Sequence, residues 1–240
     1  MRKKVSCVLK WLVVACSLGG IVLAMFFAQR DGYNHWANRP MYFTTQSNIW
    51  VGITFLILAI VPFTKAKDNK KFMNRLYIFK YIFTVSITIT GLVFCCLLAP
   101  FADEHSYDAW TLSSFLTHVF TPAFAIIDFF LDDYDIVFRK RDILYTTLPP
   151  FYYFIFASIL GILGIDFGRG DPFPYFFLNY RSPAGFFGFS DQPPYIVGSF
   201  YWILLMLLLV LGFGLLYARL HPTSIRIRKE KKKQKTTENK

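Results

Sequence analysis

Hydrophobic residues in this chain fall in long continuous blocks, without the 3.6- or 2-residue alternation of a helix or strand that is half exposed to water. The blocks cover about 8–28, 48–63, 77–101, 112–131, 143–165 and 196–220. A hydrocarbon layer about 30 Å thick is crossed by roughly 20 residues of helix. The second block is shorter and starts polar; the others reach that length. Backbone amides in lipid have no water to bond, so a spanning segment must be a helix or part of a closed barrel. Barrel strands would read as short alternating segments. The pattern therefore predicts an all-α polytopic membrane protein: a six-helix transmembrane domain over 1–220 and a tail over 221–240.

Composition agrees, with 55% hydrophobic and 20% aromatic residues. Charge adds orientation. Of the 26 Lys and Arg, only Arg30, Arg39, Arg169 and Arg181 lie in the first, third and fifth loops. The rest lie at the N-terminus, in the second and fourth loops and in the tail. Basic residues collect on the cytoplasmic side, so both termini are expected there. The net charge of +11 thus reads as a topology signal and an attraction to anionic lipid, with no nucleic-acid partner. The charged, low-complexity tail is expected to be disordered or to lie on the membrane surface. Arg2, Lys3 and Lys4 precede an apolar stretch too long for a secretory signal, which predicts an uncleaved first helix. Cys7, Cys16, Cys95 and Cys96 give no disulfide framework.

Polar side chains inside spans are costly in hydrocarbon and so mark candidate sites. In the fourth span Ser114, His118, Thr121, Ala125 and Asp128 share one helical stripe. Pro122 frees the carbonyl of His118 and is expected to kink the helix. At 1.5 Å per residue His118 sits roughly 10 Å below the outer surface, with Asp128 about 15 Å deeper. The second span opens on Phe43-Thr44-Thr45-Gln46-Ser47-Asn48, more polar residues than a helix cap requires. Both features lie toward the outer leaflet and can meet. The third span carries Thr84, Thr88, Gly91 and Cys95 on one stripe, the small-residue pattern of close helix packing. The fifth loop, 166–195, is dense in Pro, Gly and aromatics. It reads as a cap on the outer mouth of the bundle or as a plain interfacial loop.

Three segments also resemble a known family. Phe43-Thr44-Thr45-Gln46-Ser47-Asn48, His118-x-x-x-Pro122 followed by Asp128, and Phe173-Pro174-Tyr175-Phe176-Phe177-Leu178-Asn179 are similar to the motifs of the bacterial "Pr-six-Pr" integral membrane proteins. That resemblance implies a multi-pass protein of a bacterial cytoplasmic membrane, and no set activity. More distantly, the layout resembles the androgen-induced family of intramembrane hydrolases of fatty-acid esters. By that resemblance Thr44 or Thr45 corresponds to the family's threonine and His118 to its histidine. The His-to-Pro spacing differs by one residue, and Gln46-Ser47-Asn48 stand where that family is more apolar.

Three classes of function follow. In the first, Thr44 or Thr45 is a nucleophile and His118, the sole histidine within a span, its base. Gln46, Asn48 or main-chain amides at the helix start would then stabilise an oxyanion, and the substrate would be a lipid ester. In the second, Asp128 and His118 relay protons or bind an ion, as in a small transporter. In the third, the same groups bond helices together in a non-catalytic protein that binds lipid or a partner, with Ser47 among them. No metal-ligand spacing and no phosphate loop is present, so no cofactor is expected.

Overall fold

The computed structural model describes residues 2–101, 109–170, 172–227 and 230. Among them, six helices are long and apolar enough to cross a membrane: α1 (Arg2–Phe26), α2 (Phe43–Phe63), α3 (Lys70–Leu98), α4 (Leu112–Leu131), α5 (Lys140–Ile162) and α6 (Ser199–Leu220). The protein is a multi-pass helical membrane protein. No strand occurs among the described residues, only an isolated bridge between Phe189 and Val197. Most of the expected tail, and His105 of the third loop, lie outside the described residues.

Helices α1 to α4 form the core, each contacting the next and α4 closing back on α1. Val13, Val51, Phe55, Ile87 and Ala125, from all four, meet in one buried cluster. Helices α5 and α6 lean on this core mainly through α3 and are less buried. Lipid tails are as apolar as these side chains, so association relies on packing and on hydrogen bonds between helices.

Two local features of these helices matter for the site. α2 starts at Phe43, ahead of the apolar block that begins near 48, because Tyr42 is extended and the polar residues themselves close the first turns. Ser47 Oγ and Asn48 Nδ2 both donate to the Thr44 carbonyl, at 3.1 and 2.8 Å. In α4 a widened π turn covers Phe115–Phe120, immediately before Thr121 and Pro122. The Thr121 hydroxyl donates to the Leu116 carbonyl at 2.8 Å, filling part of the loosened ladder. Such π turns are often found at functional sites.

The fifth loop is a docked cap. Asp166 Oδ1 accepts main-chain N–H bonds from Gly168, Arg169 and Gly170 at 2.7 to 3.1 Å. Its Oδ2 accepts from Asn34 Nδ2 of the first loop at 2.8 Å. Gly168 holds φ at +104°, and a Cβ there would meet Asn38 at 2.7 Å. Only glycine permits both the conformation and the approach. Beyond this turn Phe173 and Phe177 are buried against the bundle.

At the opposite end of the core, Lys10, Lys80, Asp128 and Asp132 form a buried cluster. Lys80 Nζ lies 2.6 Å from Asp128 and 2.7 Å from Asp132, and Lys10 Nζ lies 3.2 and 2.9 Å from the same carboxylates. Ser6 and Tyr77 hydroxyls complete it. Two cations and two anions cancel, so α1, α3 and α4 are joined without a net buried charge. Lys10 and Lys80 therefore do not belong with the exposed basic residues that set topology.

His221 caps α6 beside this cluster, buried between Phe129 and Phe138. Burial, then the nearby Lys80 ammonium, lowers its pKa from 6.5 to about 4, against the opposing pull of Asp132 and Asp135. The unfolded chain takes up this proton first. Stability from this site is therefore complete above the unfolded pKa of 6.5 and falls as pH drops toward about 4. His221→Phe is expected to remove that acid limb. Thermal unfolding in detergent from pH 7 to 4 checks it, and an unchanged pH profile refutes it.

Candidate functional site

The candidate site lies where α2, α4 and the fifth loop meet, at the end remote from the lysine–aspartate cluster. Thr44 Oγ1 is 3.2 Å from His118 Nε2. The threonine that reaches the imidazole is thus Thr44. Thr45, one residue on and buried, follows another face of the same helix.

The other imidazole nitrogen fixes the tautomer. His118 Nδ1 lies 3.1 Å from the Ser114 carbonyl, which can only accept, so Nδ1 carries the proton. The Thr117 hydroxyl, which donates to the Ser113 carbonyl at 2.8 Å, offers Nδ1 a second acceptor at 3.2 Å. Nε2 is left with a lone pair facing the Thr44 hydroxyl. A main-chain carbonyl does the orienting here, in place of a carboxylate. The ring is also clamped by Phe94, stacked at 3.8 Å with planes 15° apart.

Gly91 of α3 makes room for this segment. A Cβ at Gly91 would lie 2.8 Å from the His118 carbonyl oxygen and 3.1 Å from Pro122. Thr84 and Thr88 share its stripe: Thr84 is fully buried, and Thr88 bonds the Tyr217 hydroxyl at 3.0 Å. Cys95, read with them as a packing residue, is exposed. Gly91→Ala is expected to push α4 off α3, costing about 1–3 kcal/mol of stability as overpacked sites do. An unfolding midpoint equal to the unaltered protein's would contradict this.

The supporting polar residues bond as follows. Asn48 Nδ2 donates to the Thr44 and Thr117 carbonyls, tying α2 to α4. Gln46 Nε2 donates to the Pro40 carbonyl at 3.1 Å. Asn48 Nδ2 spends both its N–H groups on these carbonyls, whereas Gln46 Nε2 spends one. Ser47 bonds Thr90 of α3 at 2.9 Å. Asp128 belongs to the distant charge cluster, and no bond joins it to His118.

An apolar cleft opens beside Thr44. It encloses about 720 Å³, part of it open to the surroundings, between α3, α5, α6 and the fifth loop. Its walls are almost wholly hydrocarbon and aromatic, and the half-exposed Phe151 stands on its α5 side. The polar groups on its lining are Thr44, Thr90, Tyr153 and Tyr175. The Tyr175 hydroxyl faces the Thr44 side chain and backbone. Burial pushes its pKa up to about 12, so it stays protonated at neutral pH. Among the described residues no three His, Cys, Asp or Glu side chains gather as a metal site.

Sequence reasoning missed Tyr153, Phe94, Lys10 and Lys80. Lys10 interrupts an otherwise apolar run, which was a readable signal of a buried ion pair with Asp128. Tyr153 sits in an aromatic-rich span, where no spacing sets it apart. Comparison with known proteins adds no further assignment: no family model, no curated protein and no solved structure matches the chain.

Proposed function

We propose that the protein is an intramembrane hydrolase of lipid esters with a threonine nucleophile and a histidine base, as its resemblance to the androgen-induced family implies. The observation that carries this reading is the Thr44 Oγ1 to His118 Nε2 contact of 3.2 Å at the head of an apolar cleft. A hydroxyl is a weak nucleophile until a base takes its proton. His118 Nε2 presents the lone pair for that step, because Nδ1–H is held by Ser114.

An ester whose acyl chain lies in the cleft places its carbonyl near Thr44. Thr44 Oγ then adds to the carbonyl carbon as its proton passes to Nε2. Collapse expels the alcohol, which leaves with the proton from His118, and an acyl-threonine remains. Water, deprotonated in turn by His118, releases the fatty acid and restores Thr44. The substrate arrives from the bilayer, so the apolar walls double as the entry path. The charge pattern orients both termini toward the cytoplasm and this site toward the outer leaflet. The resemblance to the "Pr-six-Pr" family supports a bacterial cytoplasmic membrane as its location.

The test is covalent capture. A fluorophosphonate with a long alkyl chain, incubated with detergent-purified protein, is expected to form an adduct that peptide mapping places on Thr44. A folded protein that takes no label, while binding a photoreactive fatty ester, is instead a non-catalytic lipid binder.

A further inference from the structure

We infer that Tyr153 is the oxyanion donor of this site, a role that rests on the hydrolase reading. Tyr153 is only 4% exposed, and its hydroxyl is buried without a hydrogen-bond partner. Buried hydroxyls are almost always paired, so an orphan calls for an explanation. The hydroxyl faces the main-chain amide of Phe43 and the hydroxyl of Tyr175, outside bonding geometry with either. Tyr175 in turn faces Thr44. Tyr153, Tyr175 and Thr44 all line the cleft.

The start of α2 adds to this. Its N-cap residue, Tyr42, offers no side-chain bond to the first turn. The first amides of a helix have no acceptor within it, and the helix dipole makes that end positive. An ester carbonyl at Thr44 therefore meets an unpaired phenol and a helix N-terminus, while Ile89, Val93, Met206 and Leu207 further along accommodate its chain. Asn48 has both its amide N–H groups on main-chain carbonyls.

As Thr44 Oγ bonds to the carbonyl carbon, the carbonyl π pair moves onto oxygen. Tyr153 O–H donates a hydrogen bond to that oxyanion and keeps its proton throughout. When the oxyanion collapses, the alcohol leaves with the proton held by His118, and the phenol is orphaned again.

Tyr153→Phe deletes this one oxygen. With a long-chain p-nitrophenyl ester in detergent micelles, kcat is expected to fall about 10²–10³-fold, as loss of an oxyanion donor does. KM and the thermal midpoint should not change, because the hydroxyl bonds nothing in the resting protein. Tyr152→Phe, its half-exposed neighbour, should behave like the unaltered protein. A kcat within twofold, a rise in KM alone, or a lowered midpoint would each overturn the assignment, the last two making the hydroxyl a wall or a strut. If the unaltered protein neither turns over ester nor labels at Thr44, the hydrolase reading itself falls and takes this inference with it. Turnover at Thr44 that survives Tyr153→Phe leaves the hydrolase standing and removes only Tyr153.

Discussion

Thr44→Ala is expected to abolish phosphonate labelling and ester turnover, while Thr45→Ala leaves both within a few-fold. The two threonines are adjacent in sequence, and only Thr44 presents its hydroxyl to an imidazole nitrogen, at 3.2 Å. Thr44→Ser retains the oxygen and should retain labelling. His118→Ala removes the base and should slow labelling by about 10²–10⁴-fold, the usual contribution of a positioned base. His118→Gln is the more telling variant. Its amide can still hydrogen-bond Thr44 and hold α4 near α2, yet it cannot take a proton at neutral pH. A comparable loss in His118→Gln with an unchanged unfolding midpoint assigns the histidine to proton transfer. Full labelling in His118→Gln would show that the contact merely joins two helices. The non-catalytic reading would then be the better one.

The second large effect concerns stability. Asp128→Leu should lower the unfolding midpoint sharply, by the equivalent of about 3–5 kcal/mol, because it leaves a buried ammonium uncompensated. Asp128 is fully buried, Lys80 is 1% exposed, and their charged atoms lie 2.6 Å apart. Lys80→Met alone should cost a similar amount for the converse reason. The double variant Asp128→Leu with Lys80→Met leaves Lys10 facing Asp132, a neutral pair 2.9 Å apart. It is expected to recover most of the lost stability, since buried ion pairs replaced by apolar residues are often neutral overall. The readout is a double-mutant cycle on thermal unfolding in detergent. Additive losses would show that the cluster is not governed by charge balance. Neither single variant should change the Thr44–His118 geometry at the far end. An unchanged labelling rate per folded molecule therefore separates this cluster from the site. A fall in that rate would couple the two and revive a proton relay along α4.

Asp132 sits in the same cluster just beyond α4. Burial pushes its pKa up, but Lys80 and Lys10 outweigh that and hold the carboxyl well below the usual carboxylate range. Its contribution is thus present at neutral pH and is lost only in strong acid. The milder acid loss between pH 6.5 and about 4 belongs to His221. The two windows meet near pH 4, and His221→Phe separates them by removing only the upper one.

The sequence by itself determined the architecture. Continuous apolar runs of about 20 residues admit one soluble-backbone solution in lipid, the helix. The polar opening of α2, the lone histidine of α4 and the Tyr175 motif were visible because polarity stands out against hydrocarbon. Pairing was not visible. Asp128 was readable as expensive, yet its lysine partners come from helices 118 and 48 positions away in sequence. Tertiary structure alone decided that Thr44 and not Thr45 meets His118, since 100° of helical rotation separates neighbours. It also decided that Gln46 and Asn48 bond main chain, that Gly91 lies under His118, and that the Tyr153 hydroxyl is buried without a partner. Spanning is a property of each segment's own composition. A site depends on which faces are turned together, and that is fixed only when the helices pack.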